Sequence, residues 1–258
     1  MNYFRIHRIV LSAIRLATAV VFPLLACAAS ADNEVVSVGD WDVAVECAGP
    51  TSANVTVWLE HGIGTHASSS TWDHVFVQTA EFAQVCRYDR PGAGMSAQSA
   101  SYGPNIYLSR VNALMRVAGA QKQLIVVGHS FGGYPTRILA QTWPERVREV
   151  ILVDSISEVL GLRAATNAAH WADVPVGAES IDVKAFEEGM QPTLKMPVTV
   201  ISRSRNASKR WNLAQEHLRT LHSGGRRIIA EGSGHMVPID NPAIIVRAIQ
   251  DAVGRQTR

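Results

Sequence analysis

The sequence predicts an α/β fold with a mainly parallel β-sheet, and three observations indicate this. Eight short runs rich in β-branched residues recur along the chain. From the third run onward, they alternate with stretches whose apolar residues repeat at helical spacing. The runs are almost wholly apolar, as strands are when helices cover both faces of a sheet. We therefore expect eight strands between two layers of helices.

The predicted strands share this apolar, β-branched character. They are Val35–Val38, Val43–Glu46, Val55–Leu59, Val85–Tyr88, Leu124–Val127, Val150–Val153, Val198–Ile201 and Arg227–Ala230. Two helical stripes lie between them, composed of Trp72, Val75, Phe76 and Phe82, and of Leu108, Val111, Leu114, Met115 and Ala118. A last helix is predicted to begin at Asn241-Pro242, because asparagine favours the N-cap and proline the first turn.

One stretch interrupts the alternation after the sixth strand. Residues 155–196 contain no strand where the next unit should come, so we interpret residues 156–195 as a short lid over the sheet edge. No internal repeat and no linker divides the chain. Residues 32–258 are therefore predicted to form one domain.

Residues 1–31 have the pattern of a signal peptide. Three arginines precede an apolar run over residues 16–26, which is shorter than the roughly 20 residues that span a bilayer. Ala29-Ser30-Ala31 offers a cleavage site before Asp32. Residues 24–27 instead resemble a lipoprotein box, in which Cys27 would carry a lipid anchor. We favour the first site, and either predicts an exported protein, periplasmic or secreted.

Composition and charge exclude several classes of protein. The chain is 47% hydrophobic and 18% charged, which is typical of a globular protein rather than a disordered one. Its net charge of +2 falls to −1 without the three arginines of the leader, and no Lys/Arg stripe suggests a nucleic-acid partner. Beyond Cys27 only Cys47 and Cys86 remain, without a C-x-x-C or H-x-x-x-H pattern, so no metal site is predicted. In an exported chain, these two cysteines form one disulfide or stay as buried thiols.

The strongest local signal is the nucleophile-elbow pattern G-x-S-x-G at residues 128–132, between a predicted strand and a predicted helix. Such a turn is so sharp that side chains two residues before and after the serine would collide. The serine itself is held in an unfavourable backbone conformation that exposes its hydroxyl. Ser130 is therefore the candidate nucleophile.

A serine hydroxyl needs a base that accepts its proton and an acid that orients the base. His235 is the best of nine histidines, because it lies in a glycine-flanked loop between the last strand and the last helix. His129 is interpreted as a packing residue and His170 as a residue of the lid. For the acid we favour Asp154, which ends the strand after the one that Ser130 ends, so both reach the same edge of a parallel sheet. Glu158 and Asp182 stay open as rivals.

The segment Trp58–Gly64 is a strand that leads into H-G-x-G, whose glycines let a backbone N–H turn inward. We expect the N–H groups of Ile63 and Phe131 to form an oxyanion hole. Glu60 is unusual beside such a hole and is expected to be buried or paired.

Taken in order, these motifs resemble those of the α/β-hydrolase fold superfamily, of the serine esterase and lipase type. They are H-G-x-G, then D-R-P-G-A-G-M-S at residues 89–96, then G-H-S-F-G-G, L-V-D-S and finally S-G-H-M-V-P-I-D-N-P at residues 233–242. The resemblance spans the whole of the predicted domain. It implies strand order 1-2-4-3-5-6-7-8, a lid after strand 6, no cofactor and a structural turn role for Asp89.

This resemblance bears on the acid and on the cysteines. Many such enzymes carry the acid after strand 7, but residues 198–215 contain no Asp or Glu, so the role passes to Asp154. The implied strand order makes the strand of Cys47 a neighbour of the strand of Cys86, which favours a Cys47–Cys86 bridge.

The sequence thus predicts a serine hydrolase that cleaves small-molecule carboxylic esters with Ser130, His235 and Asp154. We expect the protein to have no nucleic-acid partner, and no membrane partner unless it is lipidated at Cys27. An acyltransferase, an amidase or a C–C hydrolase with the same residues is the alternative. A non-catalytic binding protein with this fold is the alternative outside enzymes.

Overall fold

The computed structural model describes residues 34–67, 70–121, 123–160 and 181–255. The predicted signal peptide and the middle of the predicted lid, residues 161–180 with His170, lie outside the described residues. None of the described helices is both long and apolar enough to cross a membrane.

Eight strands form one sheet in the order β1-β2-β4-β3-β5-β6-β7-β8, which confirms the predicted fold class and strand order. Their bounds are β1 Glu34–Val38, β2 Trp41–Ala48, β3 Val55–Glu60, β4 Gln84–Tyr88, β5 Gln123–His129, β6 Val147–Val153, β7 Val198–Arg203 and β8 Arg226–Ala230. β2 pairs antiparallel with β1 and β4, and all other neighbours are parallel. The carboxyl ends of β3 to β8 therefore reach one edge of the sheet, where ligand sites form in such folds.

The described helices are α1 Asp73–Ala80, α2 Pro104–Val117, α3 Gly133–Thr142, α4 Val183–Glu188, α5 Lys209–Arg219, α6 Val237–Asp240 and α7 Pro242–Gly254. The last helix begins at Pro242 as predicted, but the Asn241 side chain makes no capping hydrogen bond. The helix α6, which the sequence did not predict, ends one residue before Asn241, and the Asn241 N–H donates to the Val237 carbonyl.

The sheet separates two apolar clusters. Apolar side chains of α2, α3 and α5 cover one face, and those of α1 and α7 cover the other. The predicted stripes account for this, since Val75 and Phe76 of α1 and Val111 and Leu114 of α2 are buried. Burial on both faces explains why the central strands are largely apolar, whereas the edge strands β1 and β8 are partly exposed.

Cys47 and Cys86 lie directly opposite each other in the β2–β4 pair and are joined by a disulfide. Their Cα atoms are 4.2 Å apart. The bridge therefore links β2 to β4 through cysteines that lie 39 residues apart in the sequence.

The flanks of the predicted lid are held against the body of the protein. On one side, the 3₁₀ turn Glu158–Leu160 follows β6. On the other, Ile181 forms an isolated bridge with Tyr102, and α4 buries Phe186 against Phe131 and Tyr107.

Candidate active site

Ser130 follows β5 directly and opens a single 3₁₀ turn, Ser130–Gly132, that continues into α3. Its φ of 54° lies in the left-handed region that side chains disfavour. A Cβ on Gly128 would lie 2.5 Å from the Gly132 carbonyl oxygen, and one on Gly132 would lie 2.3 Å from the Glu60 carbonyl oxygen. The turn therefore requires glycine two residues before and two residues after the serine.

Three side chains that are distant in sequence form one hydrogen-bonded chain. His235 Nε2 lies 2.9 Å from Ser130 Oγ, and His235 Nδ1 lies 2.6 Å from Asp154 Oδ2. Because Asp154 accepts at Nδ1, the neutral imidazole carries its proton there and leaves Nε2 free to accept the serine proton. The structure thus brings together the three residues that the sequence singled out.

Asp154 stands at the end of β6 with a φ of 42°, another left-handed conformation. Its carboxylate is fully buried. Oδ1 accepts hydrogen bonds from the Arg203 backbone N–H at 3.1 Å and from the Trp211 indole Nε1–H at 2.8 Å. These two donors occupy one oxygen and leave the other for His235.

His235 lies in the loop between β8 and α6. The Gly234 N–H beside it donates to Asp240, which also pairs with Arg205. His129 Nε2 lies 2.8 Å from the His235 carbonyl oxygen, and the two imidazole rings are 4.9 Å apart. Burial lowers the pKa of His129 to about 3, with the nearby His235 adding to the effect. A neutral His129 therefore donates its Nε2 proton to the loop that carries His235.

The H-G-x-G loop runs beside the serine. A Cβ on Gly62 would lie 3.3 Å from the Ser130 Cβ, and Gly132 packs against the Glu60 and His61 carbonyls. Ile63 is the next residue of this loop and Phe131 follows the serine at the start of the helical segment. The two predicted oxyanion donors thus belong to segments that meet at Ser130.

A buried ionic network around Arg90 and Glu60 holds the H-G-x-G loop in place. Arg90 donates to the carbonyls of His61 at 2.7 Å and of Gly62 at 3.1 Å, and lies 3.6 Å from Glu60. Glu60 also accepts hydrogen bonds from Tyr107, Trp58 and Tyr88. Burial raises the pKa of Glu60, whereas Arg90 and these donors act in the opposite direction. Glu60 is therefore buried and paired, as expected.

The two rival carboxylates face other partners. Glu158 accepts two hydrogen bonds from Arg137, at 2.6 and 2.9 Å, and lies 3.1 Å from His217 Nε2. Asp182 caps α4 by accepting from the Ala185 N–H. Asp89 accepts a hydrogen bond from the Met95 N–H, six residues later in the same turn. This is the structural role that the resemblance implied for Asp89.

Sequence reasoning missed three partners of the site: Trp211, Arg203 and His129. No local pattern marks Trp211 or Arg203 as partners of Asp154, because they belong to other elements of the chain. His129 was interpreted as packing, and the structure adds its hydrogen bond to the His235 loop. In the described part of the chain, no group of three or more His, Cys, Asp or Glu side chains is arranged to hold a metal ion.

A family model described as alpha/beta hydrolase fold matches residues 55–187, slightly more than half of the chain. The chain belongs to this family. The match covers β3 to α4 and so includes the elbow, Asp154 and the H-G-x-G loop. His235 lies beyond its end.

Solved structures agree with this α/β-hydrolase over most of its length. The enol-lactonase from Burkholderia xenovorans LB400 has a TM-score of 0.67 at 18% identity, over 86% of this chain and 100% of its own. Carboxylesterase CesB from Bacillus subtilis has a TM-score of 0.68 at 16% identity, over 88% and 93%. A thermophilic esterase from Thermogutta terrifontis has a TM-score of 0.66 at 16% identity, over 86% and 96%. At such identities the likeness establishes the fold.

Curated relatives of this α/β-hydrolase match about half of its chain. An uncharacterised protein from Mycobacterium tuberculosis is 30% identical over 127 residues, which are 48% of this chain and 35% of that protein. A proline iminopeptidase from Pestalotiopsis fici is 26% identical over 122 residues, 46% of this chain and 42% of its own. The chain thus aligns with less than half the length of either relative.

Proposed function

We propose that this α/β-hydrolase is a serine hydrolase that cleaves small-molecule carboxylic esters through an acyl-enzyme. The observation that carries the proposal is the hydrogen-bonded chain from Asp154 through His235 to Ser130. The enol-lactonase and the two esterases that share its fold act on ester bonds according to their names, which favours this substrate class.

In the acylation half, Ser130 Oγ attacks the ester carbonyl carbon while His235 Nε2 takes the hydroxyl proton. Asp154 stabilises the imidazolium that results. The N–H groups of Ile63 and Phe131 are the proposed donors to the oxyanion, in a position where preorganised dipoles stabilise developing charge. The tetrahedral intermediate collapses as His235 returns the proton to the leaving alcohol.

In the second half, a water molecule gives a proton to His235 Nε2 and attacks the acyl carbon. The bond to Ser130 Oγ breaks, the serine regains its proton and the carboxylic acid leaves. Each half moves one proton through the same imidazole, so no further reactant is needed.

A fluorophosphonate probe tests the serine chemistry directly. We expect wild-type protein to be labelled at Ser130 and the Ser130→Ala variant to remain unlabelled. Ser37→Ala is the matched control, because Ser37 lies on the edge strand β1, with β2, β4 and β3 between it and β5. A folded wild type that resists labelling would contradict a serine hydrolase and favour a binding protein.

A panel of p-nitrophenyl esters of rising chain length then tests the ester class, with p-nitroanilides as amide counterparts. The likeness to a proline iminopeptidase makes amide cleavage the second candidate. Faster turnover of the esters supports the proposal. Turnover of the anilides alone would replace it with an amidase.

We also propose that the protein is exported, on the basis of the leader pattern in residues 1–31. Expression of the full chain in a bacterial host should yield protein outside the cytoplasm, beginning at Asp32. A lipid on Cys27 would instead identify the lipoprotein route. Uncleaved protein in the cytoplasm would refute export.

A further inference from the structure

The segment from β7 into α5, residues 198–215, supplies hydrogen-bond donors to Asp154, the acid of the site. Residues 198–215 contain no carboxylate, yet the Arg203 N–H and the Trp211 indole N–H from this segment both reach Asp154 Oδ1. Asp154 is fully buried, so its charge depends on these donors, on His235 and on the Arg203 guanidinium nearby. Two hydrogen bonds on one oxygen also fix the plane in which the other oxygen faces the imidazole.

The Trp211 ring is held in place from two sides. The Arg203 guanidinium carbon lies 4.2 Å from the centre of the indole ring, and its NH1 lies 3.6 Å from Asp154 Oδ2. On the other side, the indole meets the His235 ring edge to face, with centroids 5.8 Å apart. Trp211 therefore touches both His235 and Asp154.

We propose that Trp211 is a positioning residue that, through its indole N–H, orients the Asp154 carboxylate and sets how strongly Asp154 holds a proton on His235. This inference rests on the proposed function, because it assigns Trp211 a part in the same hydrolytic site. The Arg203 side chain supports it by stacking on the indole ring.

The Trp211→Phe variant tests the role of the indole N–H separately from that of the aromatic ring. Phenylalanine keeps an aromatic ring between Arg203 and His235 but has no donor for Asp154 Oδ1. Trp143→Phe is the matched control, because Trp143 also carries an arginine on its face, with the Arg146 guanidinium carbon 4.9 Å from the ring centre, but it lies at the end of α3. Both variants should unfold at denaturant concentrations close to wild type.

We expect Trp211→Phe to lower kcat on p-nitrophenyl acetate by about 10- to 100-fold, the range that one hydrogen bond to a charged group is worth, with KM nearly unchanged. The acid limb of the pH–rate profile should move to lower pH. The reason is that a carboxylate no longer held opposite Nδ1 stabilises the imidazolium less. Trp143→Phe should change neither quantity.

The other charged groups around this pair stay in place in both variants. They are Arg203 and Arg227 near Asp154, His129 against the His235 ring, and the Arg205–Asp240 pair beside Gly234. If the acid limb of the pH–rate profile shifts in Trp211→Phe but not in Trp143→Phe, the shift is therefore due to the loss of the indole N–H donor. A purely structural role would lower stability without moving the pH profile.

A measurement without substrate separates this inference from the proposed function. Proton NMR of the His235 Nδ1–H should show solvent exchange about tenfold faster in Trp211→Phe than in wild type or Trp143→Phe. Equal exchange in all three proteins overturns the positioning role, whether or not the wild type cleaves esters. If wild type fails to hydrolyse esters or react with the fluorophosphonate, the proposed function fails and the exchange rates still decide the role of Trp211.

A second variant covers the case in which Trp211→Phe does not fold. Benzothienylalanine at position 211 keeps the bicyclic shape and replaces the ring N–H with sulfur. It should give the same faster exchange and the same shift of the acid limb. Wild-type behaviour of this folded variant overturns the proposal.

Discussion

Asp154 adopts a left-handed backbone conformation although it carries a side chain, and Ser130 does the same. Such conformations cost about 1–3 kcal/mol each and persist where the surrounding structure enforces them. Asp154 is held by its N–H on the Ile201 carbonyl and by the three groups on its carboxylate. The strain thus falls on two of the three residues that we propose for catalysis.

At this scale, Asp154→Asn tests the choice of acid. An amide at position 154 cannot hold the His235 proton on Nδ1 and stabilise the imidazolium, so kcat should fall by about 10⁴-fold. Hydrolysis of p-nitrophenyl acetate by the purified variant measures this.

Glu158→Gln and Asp182→Asn serve as comparisons, since both carboxylates face partners away from the imidazole. These variants should keep most of the wild-type turnover. If Asp154→Asn remains active while one of them is inactive, the acid has been assigned wrongly.

At the scale of elements, the site depends on loops that follow β3, β5, β6 and β8 and meet at one edge of the sheet. Arg90, just beyond β4, donates a hydrogen bond to the loop that follows β3. His129, at the end of β5, donates one to the loop that follows β8. Both are buried and make their hydrogen bonds to backbone carbonyls. Main-chain carbonyls therefore hold both loops, and in the loop after β3 the His61 ring adds contacts to Arg90.

The β2–β4 disulfide is the covalent link at this scale. By the loop-entropy relation, a bridge between residues 39 apart stabilises the fold by about 4 kcal/mol. In urea unfolding of the wild type, reductant should lower the free energy of unfolding by this amount. A Cys47→Ser/Cys86→Ser double variant should be as unstable as the reduced protein and insensitive to reductant. An unchanged wild-type midpoint under reduction would contradict a structural bridge.

At the scale of the whole molecule, one buried arginine connects the flank of the predicted lid to the helical layer. Arg137 of α3 pairs with Glu158 after β6, and His217 of α5 reaches the same carboxylate. Burial alone would raise the pKa of Glu158, but hydrogen bonds and charge from Arg137 outweigh it and lower the pKa to about 2. The ionised carboxylate therefore stabilises the fold.

This pairing predicts how stability depends on pH. Since the folded pKa of Glu158 lies below the usual value of 4.5, its contribution is complete above about pH 4.5 and is lost as pH falls toward 2. Glu158→Gln should be less stable than wild type at pH 7, and the difference should shrink at pH 3. Unfolding midpoints at both values measure it.

Glu188→Gln is the control for this prediction, because the ion pair that Glu188 forms with Lys184 is exposed. Its midpoints should follow wild type at both pH values. If the unfolding midpoints of Glu158→Gln and wild type differ by the same amount at pH 7 and at pH 3, the charge of Glu158 does not stabilise the fold.

Local physical chemistry made much of the fold predictable from sequence. Each predicted strand lies within an observed one, because apolar β-branched runs fit a covered sheet. The glycines around Ser130 identify the elbow because the turn leaves no room for a Cβ at either position. Strand order followed from the resemblance and not from the runs themselves. The last helix begins at Asn241-Pro242 as predicted, with Asn241 at the N-cap position although its side chain makes no capping hydrogen bond.

By itself, the sequence determined the α/β class, the position of the elbow and the short set of candidates for base and acid, since each depends on neighbouring residues. Only the tertiary structure decided which carboxylate meets His235 and which groups hold it. Those contacts join residues 57 to 106 positions apart, such as Trp211 with Asp154 and His129 with His235. No local pattern records such pairs, because chain folding alone brings them within hydrogen-bond distance.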